Sequence, residues 1–113
     1  MGLPFSESIT KNGFTFISGQ LYLTPAGELI EGTIEEQTHQ IMKNLQSILE
    51  KEGLGFSDVV KTTIYTTDIS LYDEVNKVYA SYFNGFFPAR EMIGVKELPL
   101  GARLEISMIA SKN

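Results

Sequence analysis

The sequence predicts an α+β fold: a mixed β-sheet carrying two amphipathic helices on one face. Three observations point there. Apolar residues recur at helical spacing in only two segments, the remaining regular segments are dense in β-branched and aromatic residues, and turn residues punctuate them in the order β-β-β-α-β-α-β-β. With helices linking strands, right-handed crossovers bring both helices to the same side of the sheet.

The first element is a β-hairpin within residues 6–19, folded at Lys11-Asn12-Gly13, because Asn-Gly supplies the positive φ angles of a tight hairpin turn. Leu21-Tyr22-Leu23 reads as a third extended piece, closed by the turn Thr24-Pro25-Ala26-Gly27. Thr33 followed by Glu36 forms a capping-box signature. Ile34, Thr38, Ile41, Met42, Leu45, Ile48 and Leu49 then build one apolar helical face that stops at Gly53.

Residues 59–67 are rich in Val, Thr, Ile and Tyr and predict a strand. Ser70 and Asp73 repeat the capping pattern ahead of a helix with Leu71, Val75, Val78, Tyr79, Tyr82 and Phe83 on one face, ending near Asn84-Gly85. Pro88 forces an extended entry into a strand over residues 89–95, and residues 103–110 make the last strand beyond the Pro99-Leu100-Gly101 loop.

A chain of 113 residues with 42% hydrophobic and 20% charged positions suits a single domain spanning residues 1–113. No apolar run approaches the roughly 20 residues of a membrane span, and no secretory leader is visible, so a cytoplasmic location and no membrane partner are expected. Without cysteine and with one histidine, thiolate chemistry and His-rich metal sites are excluded, and no metal is expected. A net charge of −5 disfavours nucleic acid as a partner, since phosphate binding draws on clustered Lys and Arg.

Strand alternation puts Leu104, Ile106 and Met108 on the covered face and Glu105 on the other. Assigning Ile93 and Val95 to the covered face places Arg90 and Met92 beside Glu105. Phe14, Phe16 and Ile109 share that uncovered face, an apolar patch that calls for self-association. Arg90 and Glu105 then have two readings: a fork for a substrate carboxylate with an acid that handles a proton or positions water, or a salt bridge between neighbouring strands, which residue types alone favour. His39 lies on the polar stripe of the first helix with Lys43, Gln46 and Glu50 and is expected in solvent.

Ile17-Ser18-Gly19-Gln20, Val60-Lys61-Thr62-Thr63, Val75-Asn76 with Tyr79, Phe87-Pro88-Ala89-Arg90, Leu98-Pro99 and Leu104-Glu105-Ile106 run in order through nearly the whole chain. Together they resemble the RidA/YjgF family of reactive intermediate deaminases. The resemblance implies a chorismate-mutase-like fold, a homotrimer with ligand clefts between neighbouring subunits, and cofactor-free hydrolysis of 2-imino acids to 2-keto acids and ammonia. By position, Arg90 matches the arginine that binds the substrate carboxylate and Glu105 the acid that activates water. Ser18 and Gly19 match the cleft lining and Asn76 a helix asparagine of the site.

Each of these three also has a structural reading: Ser18 as a strand end, Gly19 as a tight backbone position, Asn76 as a loop anchor. The chain departs from the family at Phe5, where a tyrosine is common, and at Glu91-Met92, where Ser-Cys is common. Phe5 and Met92 are therefore expected to reshape the substrate pocket, with Glu91 pointing away from it. Phe86 and Phe87, brought close by a short preceding segment, are expected near the cleft mouth, with ordinary packing the plainer account. The alternative to catalysis is a non-catalytic trimer that captures small carboxylates through Arg90; a nuclease role sits poorly with the acidic charge.

Overall fold

The computed structural model describes residues 2–112. Five strands form one sheet in the order β1-β2-β5-β3-β4, where β1 is Ser8–Lys11, β2 Phe14–Gln20, β3 Val59–Thr66, β4 Ala89–Gly94 and β5 Leu104–Ser111. Every pairing is antiparallel except β3 with β4, so the sheet is mixed as expected. Asn12 and Gly13 turn β1 into β2 with φ angles of 53° and 81°, the left-handed region that the Asn-Gly pair tolerates.

Helix α1, Ile34–Lys51, starts on the predicted capping box. Glu36 N donates to Thr33 Oγ1 at 3.1 Å, and Thr33 N donates to Glu36 Oε1 at 2.8 Å. Its apolar stripe, with Ile41, Met42, Leu45 and Leu49 fully buried, packs with Ile17, Ile64, Leu104, Ile106 and Met108 of the sheet. Helix α2, Tyr72–Ala80, lies beside α1 and contributes Val75 and Tyr79 to the same core. Burying one full aliphatic side chain in such a layer stabilises the fold by roughly 1.5–3 kcal/mol.

Four sequence expectations change. Leu21–Leu23 is not a strand of the sheet. Asn44 Nδ2 of α1 donates to the carbonyls of Leu21 and Leu23 at 3.1 and 3.0 Å, and Tyr22 Oη accepts from Arg103 N at 2.9 Å. A helix side chain thus meets these backbone acceptors where a strand partner would have done so, leaving only a bridge between Leu23 and Leu29.

Ser70 does not cap α2. Asp68 accepts hydrogen bonds from Ser70 N at 3.0 Å and Ser70 Oγ at 2.6 Å, capping a short 3-10 turn over Ile69–Leu71 that runs into the helix. Those two bonds hold the Asp68 carboxyl below its ordinary pKa. The helix also stops at Ala80. Tyr82 and Phe83 lie beyond it, in an aromatic group where Phe56 meets both rings at 5.5 Å between centroids.

β4 also takes the opposite phase from that expected. Its parallel register pairs Arg90 with Thr62 and Met92 with Ile64, both fully buried under the helices, whereas Ile93 pairs with Tyr65, which itself pairs with Glu105. Directly paired residues project to the same side. Arg90 and Met92 therefore face the helices, and Ile93, 40% exposed, shares the open face with Glu105. The open face does carry Phe14 and Phe16, with Phe16 paired to Ile109, as anticipated.

Candidate functional site

Arg90 and Glu105 occupy two separate clefts. The first, about 370 Å³, lies on the helix side at the edge of the sheet and is lined by Asn76, Tyr79, Ala80, Phe87, Pro88 and Arg90. Among the described residues Arg90 has neither a carboxylate partner within 4.0 Å nor a side-chain hydrogen bond. Its guanidinium instead lies 5.1 Å from the centre of the Tyr79 ring and 5.6 Å from that of Tyr72. Arg103 shows the opposite case, with Nε donating to Gln37 Oε1 at 2.7 Å. A guanidinium without an acidic partner keeps its planar fork available to a carboxylate.

In the same cleft Asn76 Oδ1 is buried with no hydrogen-bond partner among the described residues. An orphaned buried acceptor costs about 1–3 kcal/mol unless a ligand or water supplies a donor. Tyr79 Oη, by contrast, donates to Thr62 Oγ1 at 2.9 Å. Burial pushes the Tyr79 phenol above its ordinary pKa, against smaller opposing effects of that bond and of the Arg90 charge.

The second cleft, about 530 Å³, is lined by apolar side chains including Leu3, Phe5, Leu21, Leu23 and Leu100, with Gly19 and Glu105 among its walls. The β2–β5 register breaks between Ile17 and Gln20, so Ser18 and Gly19 form a bulge opposite Ser107, with Gly19 against the Glu105 side chain. At Gly19 there is no room for a side chain, because a β-carbon there would fall 2.6 Å from Glu105 Oε2. Half-buried and free of cationic partners among the described residues, the Glu105 carboxyl has its pKa raised by desolvation.

The remaining expected residues divide. Ser18 Oγ donates to the Ser6 carbonyl at 2.7 Å and ties the N-terminal segment to the bulge. Phe5 is 61% exposed in the Glu105 cleft. Met92 packs against the core and lines neither cleft, so its expected place in the pocket wall gives way to the β4 register.

Glu91 points away from Arg90 and pairs with Lys61 at 3.2 Å. Phe87, tilted against Phe83 with 5.8 Å between ring centres, does reach the Arg90 cleft. His39 is exposed, and its Nδ1 lies 2.8 Å from Tyr82 Oη. Tyr72 was missed by the sequence reading, although its spacing to Asn76 and Tyr79 marks all three as one helix stripe. Leu100, left-handed at φ 60° and 70% exposed, carried no sequence signal.

Among the described residues no His, Asp or Glu group is placed to hold a metal ion, and no helix is long and apolar enough to cross a membrane. The arrangement is that of an α+β protein with an unpaired arginine in one cleft and a desolvated carboxyl in another.

The chain belongs to the RidA/YjgF family: the family described as Endoribonuclease L-PSP matches residues 2–112. A RutC family protein of Aquifex aeolicus is 48% identical over 112 residues, covering 96% of this chain and 89% of that protein. Human 2-iminobutanoate/2-iminopropanoate deaminase is 39% identical over 108 residues, covering 95% and 79%. The crystal structure of RidA from an Antarctic Psychrobacter bacterium superposes with a TM-score of 0.92 at 33% identity, covering 96% of this chain and 89% of that one.

Proposed function

We propose that this protein hydrolyses 2-imino acids to 2-keto acids and ammonia, at a site that Arg90 of one protomer and Glu105 of its neighbour complete together. The observation carrying this reading is that Arg90, without an acidic partner among the described residues, and the desolvated Glu105 lie on opposite faces of one sheet. Two groups so placed act on one small molecule only across a contact between chains. The open face, where Ile9, Phe14, Phe16 and Ile93 are each 40–54% exposed, supports such a contact. A homotrimer with three shared clefts closes this arrangement.

In that site the Arg90 fork holds the substrate carboxylate, which fixes the neighbouring imine carbon. Glu105 accepts a proton from water as its oxygen bonds to that carbon and the C=N electron pair moves to nitrogen. Glu105 returns that proton to the nitrogen to give a carbinolamine, then takes the hydroxyl proton and passes it to the amine as the C–N bond breaks, so ammonia leaves and the keto carbonyl forms. A carboxyl with a raised pKa serves both directions of this transfer better than an ordinary one. Asn76 Oδ1 offers an acceptor beside the carboxylate-binding fork, and the chain's own residues supply every role without a cofactor.

The sequence relationship to the human deaminase supports the same chemistry. Keto-acid release from freshly generated 2-iminobutanoate is the test. Acceleration over buffer that Arg90→Ala abolishes is expected, and a rate equal to buffer contradicts the reading. One observation favours a second reading, a non-catalytic carboxylate-binding module: the Arg90 cleft lies within one chain and Glu105 is not among its walls. Calorimetric binding of 2-oxobutanoate without imine turnover would select it.

A further inference from the structure

Arginines that bind ligands are commonly steadied by an acidic neighbour, which also consumes part of their charge. Arg90 has none among the described residues, yet its guanidinium has a defined place between two rings, 5.1 Å from Tyr79 and 5.6 Å from Tyr72. Both rings come from α2. Tyr72, Asn76 and Tyr79 stand at i, i+4 and i+7, so one helix stripe faces the β4 arginine.

The Tyr79 ring is itself fixed. It is 4% exposed, its hydroxyl is bonded to Thr62, and Thr62 is the β3 residue in register with Arg90. Tyr72 is different, being 46% exposed at the first turn of the helix.

We propose that Tyr72 and Tyr79 are positioning residues, an aromatic cradle that orients the Arg90 guanidinium toward a carboxylate while leaving its hydrogen-bonding fork unoccupied. Ring faces attract a cation through their quadrupole without occupying its N–H donors in the plane of the fork. An aspartate at the same place would take up two of those donors and offset the charge. The cradle therefore resolves two competing demands, since a free side chain of this length would lose rotamer entropy on binding and a salt-bridged one would lose affinity for anions.

The inference rests on the reading of Arg90 as the carboxylate holder, and the experiment separates the two. Tyr72 is the residue to change, because its exposure lets the ring be removed without opening the core. In Tyr72→Leu, the KM for 2-iminobutanoate and the Kd for 2-oxobutanoate are expected to rise about threefold to tenfold, with kcat within about twofold. Tyr72→Phe, which keeps the ring face, is expected to restore both constants. The Arg90 Nε–Hε proton, shielded by the rings, is expected to move downfield in Tyr72→Leu and to return in Tyr72→Phe.

Unchanged KM, Kd and proton shift in Tyr72→Leu would overturn the cradle while leaving Arg90 as the carboxylate holder. A loss that Tyr72→Phe fails to restore would also overturn it, by assigning the effect to the hydroxyl. Wild-type protein that neither binds the keto acid nor turns over the imine would overturn the reading of Arg90 itself, and the cradle with it.

Discussion

Gly19 lies against the carboxylate of Glu105 so closely that a β-carbon at position 19 would stand 2.6 Å from Oε2. The bulge that places it there interrupts the β2–β5 register, so bare backbone forms the wall beside the acid. A methyl group at this position must displace the carboxylate or spread the strands. Gly19→Ala is expected to lower kcat for imine hydrolysis by about tenfold or more, while circular dichroism shows the native secondary structure. Full activity in the folded variant would contradict the role given to this contact.

Desolvation of Glu105 has a consequence for stability as well as for rate. Its pKa in the fold is raised above the ordinary 4.5, so the native state holds this proton to higher pH than the unfolded chain does. Between the two values the native state binds more protons, and stability falls as pH rises. Below the ordinary value the group contributes no difference, and above the raised value the loss is complete and constant. Glu105→Gln is therefore expected to be more stable than wild type at neutral pH, with the gap closing as pH falls through that window. Denaturant titrations across the acid range check the sign, and a gap that widens on acidification contradicts it.

The open sheet face gives a third expectation. Phe16 is 47% exposed and paired with Ile109, on the apolar surface that the proposed shared site would cover. Phe16→Glu places a charge there without touching the helix-packed core. Sedimentation is expected to show a smaller species than wild type, and imine turnover to fall about tenfold or more. A dissociated variant with undiminished turnover would mean that one chain suffices.

Much of the fold was legible in the sequence because it rests on strong local signals. The Asn12-Gly13 turn, the Thr33–Glu36 box, the stripe on α1 and the alternation of β5 each have one low-energy solution. Elements fixed by distant partners were not legible in the same way. Leu21–Leu23 has strand composition, but Asn44 claims its carbonyls from a helix. Ser70 and Asp73 have capping-box spacing, but Asp68 reaches the Ser70 amide first.

The face of Arg90 went unread for a related reason. β4 is an edge strand whose apolar residues fall on both sides, so alternation alone does not fix its phase. Its parallel register with β3 does, by setting Arg90 opposite Thr62. The candidate site residues were named from the motif order. Their division between two clefts was not legible, because position in a motif carries no information about the face a side chain takes.

That division is tested most directly by mixing two inactive variants. Arg90→Ala and Glu105→Gln, each homogeneous, are expected to lack imine turnover. Unfolded together in equal amounts and refolded, they are expected to form mixed oligomers in which some contacts join an intact Arg90 to an intact Glu105. If each site takes its arginine from one protomer and its acid from the next, about a quarter of the sites are whole, and about a quarter of wild-type activity returns. Activity that stays at the level of the separate variants, in oligomers shown to be mixed, would contradict a shared site.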